Sequence, residues 1–499
     1  MSEKLLLLPI LFPVFMTSVF SVPALPLHRY RMRFWRNVAV EAAVLLNSVF
    51  LLLLVWEAPA GTLGLFHLSG NASFALRLDG MGRAFAAMIA LLWPLTALYA
   101  FEYMEHEGRE RTFYAWFILT YGVVAGIALS ANLLTLYLFY EVMTLTTLPL
   151  VMHAMDGRAR YAGRKYLIYS VGGAALAFMP LAFSLLHGGG DFALGGTLGI
   201  WPQAPSNLLL SAYFLGFVGF GVKAAVFPFH CWLPAASIAP TPVTALLHAV
   251  AVVKAGVFAI IRLTWYVFEP ESLSGTWAQT AAFCMACATI LYGSSMALGT
   301  QHMKRRFAYS TISQLSYILL GVLLLTPEGL TGALTHMGAH AIMKINLFFC
   351  AGAILCRTHR EYLFDMRGIG MGMPWTFVAL LVSGLALCGL PPAAGFMGKW
   401  QLGIAAAAGK GVAALPLGYI GLAVIGVSAV LTVLYIFSIF GTALMPGKNF
   451  DFKTANEGVR DPSWRMLVPM GILALGAVLY GLYAESLIAF FTRVAAGEI

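Results

Sequence analysis

Residues Phe217 to Pro234 read FVGFGVKAAVFPFHCWLP, an apolar stretch that could cross a bilayer yet carries Lys223 near its middle and Pro228 five residues later. A lysine at membrane depth costs about 2.5 to 3.5 kcal/mol on insertion scales, so it is kept only where something uses or pairs it. Pro228 has no N–H to donate and its ring clashes with the preceding turn, which predicts a helix break just past the charge. A broken transmembrane helix beside an ionisable group is how membrane proteins line an internal aqueous path.

The surrounding composition agrees. Hydrophobic residues make up 60% of the 499 and charged residues 10%, with a mean hydropathy of +0.83, whereas soluble domains carry about 25% charged residues. The chain reads as an all-α polytopic membrane protein whose surroundings are the lipid bilayer. Near-continuous apolar runs, rather than short alternating segments, exclude an outer-membrane barrel. The net charge of +9 sits in loops between apolar runs and reads as a topology signal, not as a nucleic-acid surface.

About fourteen spans can be placed, at 4–27, 36–56, 78–103, 112–131, 132–155, 163–187, 207–228, 241–268, 276–299, 305–326, 330–355, 373–404, 416–445 and 464–492. Basic residues collect in alternate loops: Arg29, Arg31, Arg33 and Arg36 after span 1, Arg158, Arg160, Arg164 and Lys165 after span 5, and Lys304, Arg305 and Arg306 after span 9. Arg357, Arg360 and Arg367 follow span 11, and Lys448, Lys453, Arg460 and Arg465 follow span 13. The loops 57–76, 188–206, 269–275 and 327–329 hold no Lys or Arg. The positive-inside rule then puts both termini outside the cytoplasmic membrane of a prokaryote. The N-terminus, MSEKLLLLPILFPVF, lacks a small-x-small cleavage site and reads as the first span. The sequon Asn71-Ala72-Ser73 falls in an outward loop.

Span 12 echoes the opening stretch: GLPPAAGFMGKW places a break at Pro391 and Pro392 beside Lys399. Broken helices at matching places in two halves point to a transporter built from repeats, here spans 4–8 and 9–13. Expected boundaries are residues 1–111 for spans 1–3, 112–268 for the first repeat, 269–445 for the second, and 446–499 for span 14.

Span 5 holds Glu141 in an otherwise apolar helix, and its obvious partner is Lys223. Such a pair in a partly dry site is either a coupled titration, in which a proton arriving at one group releases the other, or a static lock between two helices. Span 8 carries His248 and Lys254; span 11 carries His336, His340 and Lys344 at i, i+4 and i+8, near one helical face over about 12 Å. Histidine with water can carry protons near neutral pH. Zinc is disfavoured, because Met337 stands where an H-E-x-x-H motif needs glutamate. Lysines outnumber acids in the row Glu141, Lys223, His248, Lys254, His336, His340, Lys344 and Lys399, which argues for proton passage rather than cation storage. Of the six cysteines only Cys284 and Cys287 form C-x-x-C, inside the apolar run AAFCMACATI, where they read as core. No iron–sulfur spacing or dinucleotide fingerprint is visible, so no cofactor and no redox chemistry are assigned to the chain itself.

These residues give the chain its resemblance to the antiporter-like subunits of respiratory complex I, of Mrp-type sodium/proton antiporters and of membrane-bound hydrogenases. The most specific stretches are LRLDGMGRAFAAMIALLWPL from Leu76, LFYEVMTL around Glu141, KAAVFPFHCWLPAASIAPTPVTALLHA from Lys223, THMGAHAIMKINLFFCAG from Thr335, and GLPPAAGFMGKW ending at Trp400. The resemblance implies fourteen core helices, two inverted five-helix repeats and broken helices 7 and 12. It implies that Glu141 is the acid of a gating ion pair, Lys223 its partner and first proton acceptor, and His248 a gating histidine. Lys254, His336, His340 and Lys344 would form a central relay, with Lys399 the terminal group; some family members have glutamate at that last position. Implied partners are homologous antiporter-like subunits, small membrane subunits and peripheral redox subunits. The end at Ile499, soon after span 14, leads to the expectation of an inner position, or of an assembly without the long amphipathic arm. A redox-driven proton translocase subunit, an Mrp-type cation/proton antiporter subunit and a non-translocating scaffold are the three functional readings.

Overall fold

A computed structural model of the chain describes residues 3–21, 29–57, 59, 61–69, 72–198, 206–408, 415–445, 447 and 450–499. Asn71 of the sequon and Lys448 lie outside the described residues.

The architecture is an all-α bundle with one small antiparallel hairpin, Leu63–Ser69 paired with Ala72–Leu76, in the loop after span 2. Among the described residues, eleven helical segments are long and apolar enough to cross a membrane. The other three expected spans fall short for local reasons. The span 7 helix, Asn207–Lys223, ends on the lysine, and span 12 is split into Pro374–Cys388 and Ala394–Ala408. Span 10 is Met303–Leu323, which opens on Met-Lys-Arg-Arg and carries Ser310, Thr311, Ser313, Gln314 and Ser316.

Several helices start where a polar side chain caps the free N–H groups of the first turn. Asp79 accepts from the Gly82 N–H at 2.9 Å, Asn132 from Thr135 at 3.0 Å, and Thr326 from Gly329 at 3.1 Å.

The loops sort into two sets at opposite ends of the bundle. In one, Ala131 N–H donates to Ala75 at 3.0 Å, Phe192 to Ala131 at 2.7 Å, and Gly195 to Trp265 at 2.9 Å, joining the loops after spans 2, 4 and 6 to the end of span 8. In the other, Met303 N–H donates to Glu361 at 2.9 Å, Ser463 N–H to Glu102 at 3.0 Å, and Thr376 N–H to Asp461 at 3.0 Å. Backbone N–H groups at the rims are thus satisfied by carbonyls of neighbouring loops at one end, and by a carbonyl and the Glu102 and Asp461 carboxylates at the other.

Span 8 is the axis, with every residue of its membrane window buried, against one third for the outer helix Leu417–Leu444. It is not one helix but Thr241–Ala249, Val252–Arg262 and a π-helical turn Leu263–Val267. The Leu246 carbonyl accepts from both Val250 (3.0 Å) and Ala251 (2.8 Å), so the hydrogen-bond ladder slips between His248 and Lys254. Such irregular backbone is tolerated at membrane depth because protein covers it on all sides.

Three expectations need correction. The 464–492 span ends at Leu482, and Ala484–Ala496 is a separate amphipathic helix with Phe491, Val494 and Ala495 buried and Arg493 exposed. The arginines placed in the first loop belong to a helix that already begins at Arg29. Lys304 and Arg306 are not loop residues: they sit on the first turn of Met303–Leu323 and are buried. Arg306 escapes the cost of burial by donating to the carbonyls of Thr300 (2.8 Å), Tyr435 (2.8 Å) and Leu298 (3.2 Å) and to Ser438 Oγ (2.5 Å).

Candidate functional site

The helix Asn207–Lys223 stops on the charged residue because Pro228 cannot continue the hydrogen-bond ladder back to Ala224. Ala225 adopts a left-handed φ of 58°, and the Val222 carbonyl at the break accepts from the Ala225 N–H at 3.1 Å and from the Trp232 indole N–H at 2.7 Å. Lys223 Nζ is thereby fixed among three groups. It donates to the Tyr140 carbonyl at 2.5 Å, lies 3.3 Å from the Tyr140 ring centroid, and stands 3.5 Å from Glu141 Oε1. The lysine side chain is 1% exposed and the glutamate 29%, although the Glu141 Oε1 that faces the lysine is itself buried.

The second break is built differently. Gly389, at φ 89°, ends Pro374–Cys388, and the helix resumes at Ala394. Lys399 lies on the far half and reaches back, donating to the Leu387 carbonyl at 2.8 Å and the Cys388 carbonyl at 3.1 Å. A cation on the terminal carbonyls of a helix satisfies orphan acceptors and the negative end of the dipole together. A Cβ on Gly389 would sit 3.1 Å from Lys399 Cδ, so the glycine makes room for the lysine stem.

Between the breaks lies a fully buried group. His248, Lys254, His336, His340 and Lys344 are each 0% exposed. Among the described residues, both ring nitrogens of His248 and His340, and Lys254 Nζ, have no hydrogen-bond partner. Lys344 Nζ donates to Ser310 Oγ at 2.6 Å and the Phe307 carbonyl at 3.2 Å. His336 Nε2 is 3.0 Å from Gln314 Oε1, while a Cβ on Gly398 would lie 2.6 Å from His336 Nδ1, which packs that ring on the backbone beside Lys399. His340 is in electrostatic range of Lys254, Lys344, His336 and His248, and His336 of Lys399 and Lys254. The structure therefore joins six of the eight residues into one cluster. Lys223 and Glu141 form a separate ion pair, and among the described residues Glu141 is the charged group that acts on Lys223.

Chemically, such a cluster can host and pass a proton. Its unpartnered nitrogens are donors and acceptors waiting for water or a proton, since buried polar groups left unsatisfied are costly. Among the described residues, no three of His, Cys, Asp and Glu converge on a point that could hold a metal ion, and all six cysteines are free.

Sequence reasoning missed several participants. Tyr140, Ser310 and Gln314 orient the lysines and histidines through backbone, hydroxyl and amide contacts that no spacing announces. Lys304, donating to the Ala239 carbonyl at 3.2 Å, is within electrostatic range of His248. Glu41 in span 2 leaves one buried carboxylate oxygen unpartnered. Arg262, 0% exposed within span 8, pairs with Asp79. A charged letter inside an apolar run was the available signal for both Glu41 and Arg262.

The family model described as "NADH:quinone oxidoreductase/Mrp antiporter, TM" matches residues 130–438. The chain is 30% identical to NADH-quinone oxidoreductase subunit N of Desulforudis audaxviator, over 98% of this chain and 97% of that one. It is also 30% identical to hydrogenase-4 component B of Escherichia coli, over 83% of this chain but only 63% of the relative's length. The fold matches a chain of the Mrp complex from Dietzia sp. with a TM-score of 0.81 at 24% identity, covering 99% of this chain and 97% of that one. With the family model spanning more than half its length and a relative matched end to end, the chain belongs to the NADH:quinone oxidoreductase/Mrp antiporter transmembrane family.

Proposed function

We propose that the chain is a proton-translocating membrane subunit of a redox-driven complex, with Glu141 and Lys223 as the gating pair. In this reading His248 gates the step into Lys254, His336, His340 and Lys344, and Lys399 exchanges protons with the outward side. The observation that carries it is the contrast within the site: one partly exposed ion pair at a helix break, then a sealed cluster with unpartnered nitrogens. The redox part rests on the end-to-end likeness to an NADH-quinone oxidoreductase subunit. Electron carriers, and the sister and small membrane subunits, would belong to partner chains in a prokaryotic cytoplasmic membrane.

The fourteen-span plan, with two inverted five-helix repeats over 112–268 and 269–445, fits the two breaks in spans 7 and 12. Glu3 packing at Gly61 and Ile499 at Gly80 put both ends of the chain beside the same rim of loops, which suits an even number of crossings. The positive-inside rule makes that rim the outer one.

The test is Glu141→Gln and Lys223→Ala in the intact complex reconstituted into vesicles. Loss of proton uptake with the subunit still assembled supports the reading; normal uptake in either variant overturns it, and loss of assembly points to a scaffold. The likeness to an Mrp complex chain favours a second reading, cation/proton exchange without a redox partner. Mass spectrometry of the complex purified in mild detergent separates the two, through the presence or absence of iron–sulfur, flavin or nickel-iron subunits.

A further inference from the structure

On the flank of the bundle, helices Arg29–Trp56, Gly80–Glu107, Pro327–Thr358, Trp464–Leu482 and Ala484–Ala496 enclose a cleft of about 640 Å³. Its walls are apolar, with Leu45, Val49, Met88, Leu91, Ile342 and Phe490 among them. Leu45, Val49 and Leu91 are exposed, so the cleft opens sideways at membrane depth. Its floor includes Gly338 and Ile342, on the same helix as His336, His340 and Lys344.

One end of the cleft is charged. Arg83 stands on the first turn of Gly80–Glu107, next to the lining residues Ala84 and Ala87, and a helical side chain leans toward its own N-terminus. It is half-buried, its Nε is buried without a partner, and among the described residues no carboxylate pairs with it. Arg493 projects from the exposed face of Ala484–Ala496 while Leu487 and Phe490 of that helix line the cleft. Val494 and the Ile499 carbonyl oxygen both pack beside Gly80, which brings the end of the helix that carries Arg493 to the first turn that carries Arg83. An amphipathic helix with its apolar face inward and a cation outward lies at the headgroup boundary.

We propose that the cleft binds one phospholipid, its acyl chain lying along the apolar walls and its phosphate held at Arg83. An open apolar slot with a free cation at its rim matches the two ends of that molecule. A partner's transmembrane helix would instead leave the Arg83 N–H groups in need of a dedicated acid. The lipid would back the helix that carries the titratable row and keep water from reaching it from the bilayer side. Binding does not depend on whether that row moves protons.

The experiment uses the intact complex in vesicles containing phosphatidylglycerol and a trace of photoactivatable phosphatidylglycerol, with labelling of this chain mapped by mass spectrometry. Gly476→Phe and Leu91→Trp fill the cleft; a Cβ at Gly476 meets only Ile342 Cγ2, at 3.7 Å, so the first variant has room to fold. Arg83→Gln removes a charge-assisted bond to phosphate, a loss of roughly tenfold in occupancy. Labelling of cleft residues in the parent chain, abolished by either filling variant and reduced by Arg83→Gln, is the expected result. Equal labelling in all four proteins overturns the proposal. So does Met88→Cys crosslinking to a partner subunit in the complex.

Discussion

Arg262 donates from both terminal nitrogens to the Asp79 carboxylate, Nη1 to Oδ2 at 2.5 Å and Nη2 to Oδ1 at 2.6 Å, across 183 residues of chain. Asp79 also caps its own helix through Gly82, and Arg262 lies within 5.0 Å of the ring centroids of Phe192, Phe258 and Tyr266. The end of the central span is thus latched to the start of span 3. Removing one member of a buried pair strands the other, at a cost of about 3 to 5 kcal/mol. Asp79→Ala and Arg262→Ala are each expected to lower the melting temperature of the purified complex sharply. The double variant Asp79→Ala/Arg262→Met should recover much of the loss; no recovery would mean the arginine serves something other than this latch.

Tyr140 presents two different features to Lys223, a backbone carbonyl and a ring face. Tyr140→Phe keeps both and is expected to transport normally. Tyr140→Ala keeps the carbonyl and loses a desolvated cation–π contact of about 2 kcal/mol, enough to slow transport roughly thirtyfold if that energy sets the barrier. Equal rates in the two variants would assign the lysine's placement to the carbonyl alone.

Gln314 Oε1 accepts from His336 Nε2, which leaves Nδ1 as the basic nitrogen, facing the helix of Lys399. Gln314→Leu frees the ring to change tautomer, and Gln314→Glu favours the doubly protonated ring. Transport is expected to fall in both, with the pH profile displaced in opposite directions relative to the parent chain. A uniform fall with an unchanged profile would reduce Gln314 to a packing residue.

At the rim, the hydrogen bond from His302, with the ring Nε2 3.4 Å from Glu361 Oε2, holds the Glu361 carboxyl below its ordinary value. A carboxylate with a depressed folded-state pKa contributes stability above its unfolded pKa, about 4.3, and loses it as pH falls through the folded value. Because Glu361 is 42% exposed, solvent screening keeps the contribution under about 1 kcal/mol. Glu361→Gln should therefore melt slightly below the parent at pH 6, with the gap closing below pH 4. A gap that persists in acid would trace to packing.

The two broken helices and the titratable row were legible because lysine, histidine and proline inside apolar runs violate a strong rule, and each violation marks its own position. The partners were not, because contacts such as Asp79 with Arg262, Lys344 with Ser310 and His336 with Gln314 join distant segments. Asp79 stood in a stretch quoted for its resemblance to the family, yet nothing in it names an arginine in span 8. The break in that span falls in Ala249-Val250-Ala251-Val252, with no glycine or proline to announce it. In the sequence Lys304 and Arg306 read as loop residues, because a basic run before an apolar one marks a boundary and burial by neighbouring helices is invisible in one dimension.

The complete enclosure of the broken span 8 bears on how the chain is made. Its cations, Lys254 and Arg262, and its slipped hydrogen-bond ladder suit a surrounding of protein, not lipid. During synthesis this segment leaves the ribosome before spans 10 and 11, which pack against it through Met303–Leu323 and Pro327–Thr358. Membrane insertion therefore has to hold an unfinished bundle open until the second half of the chain arrives to close it, and the centre of the molecule is the last part to become native.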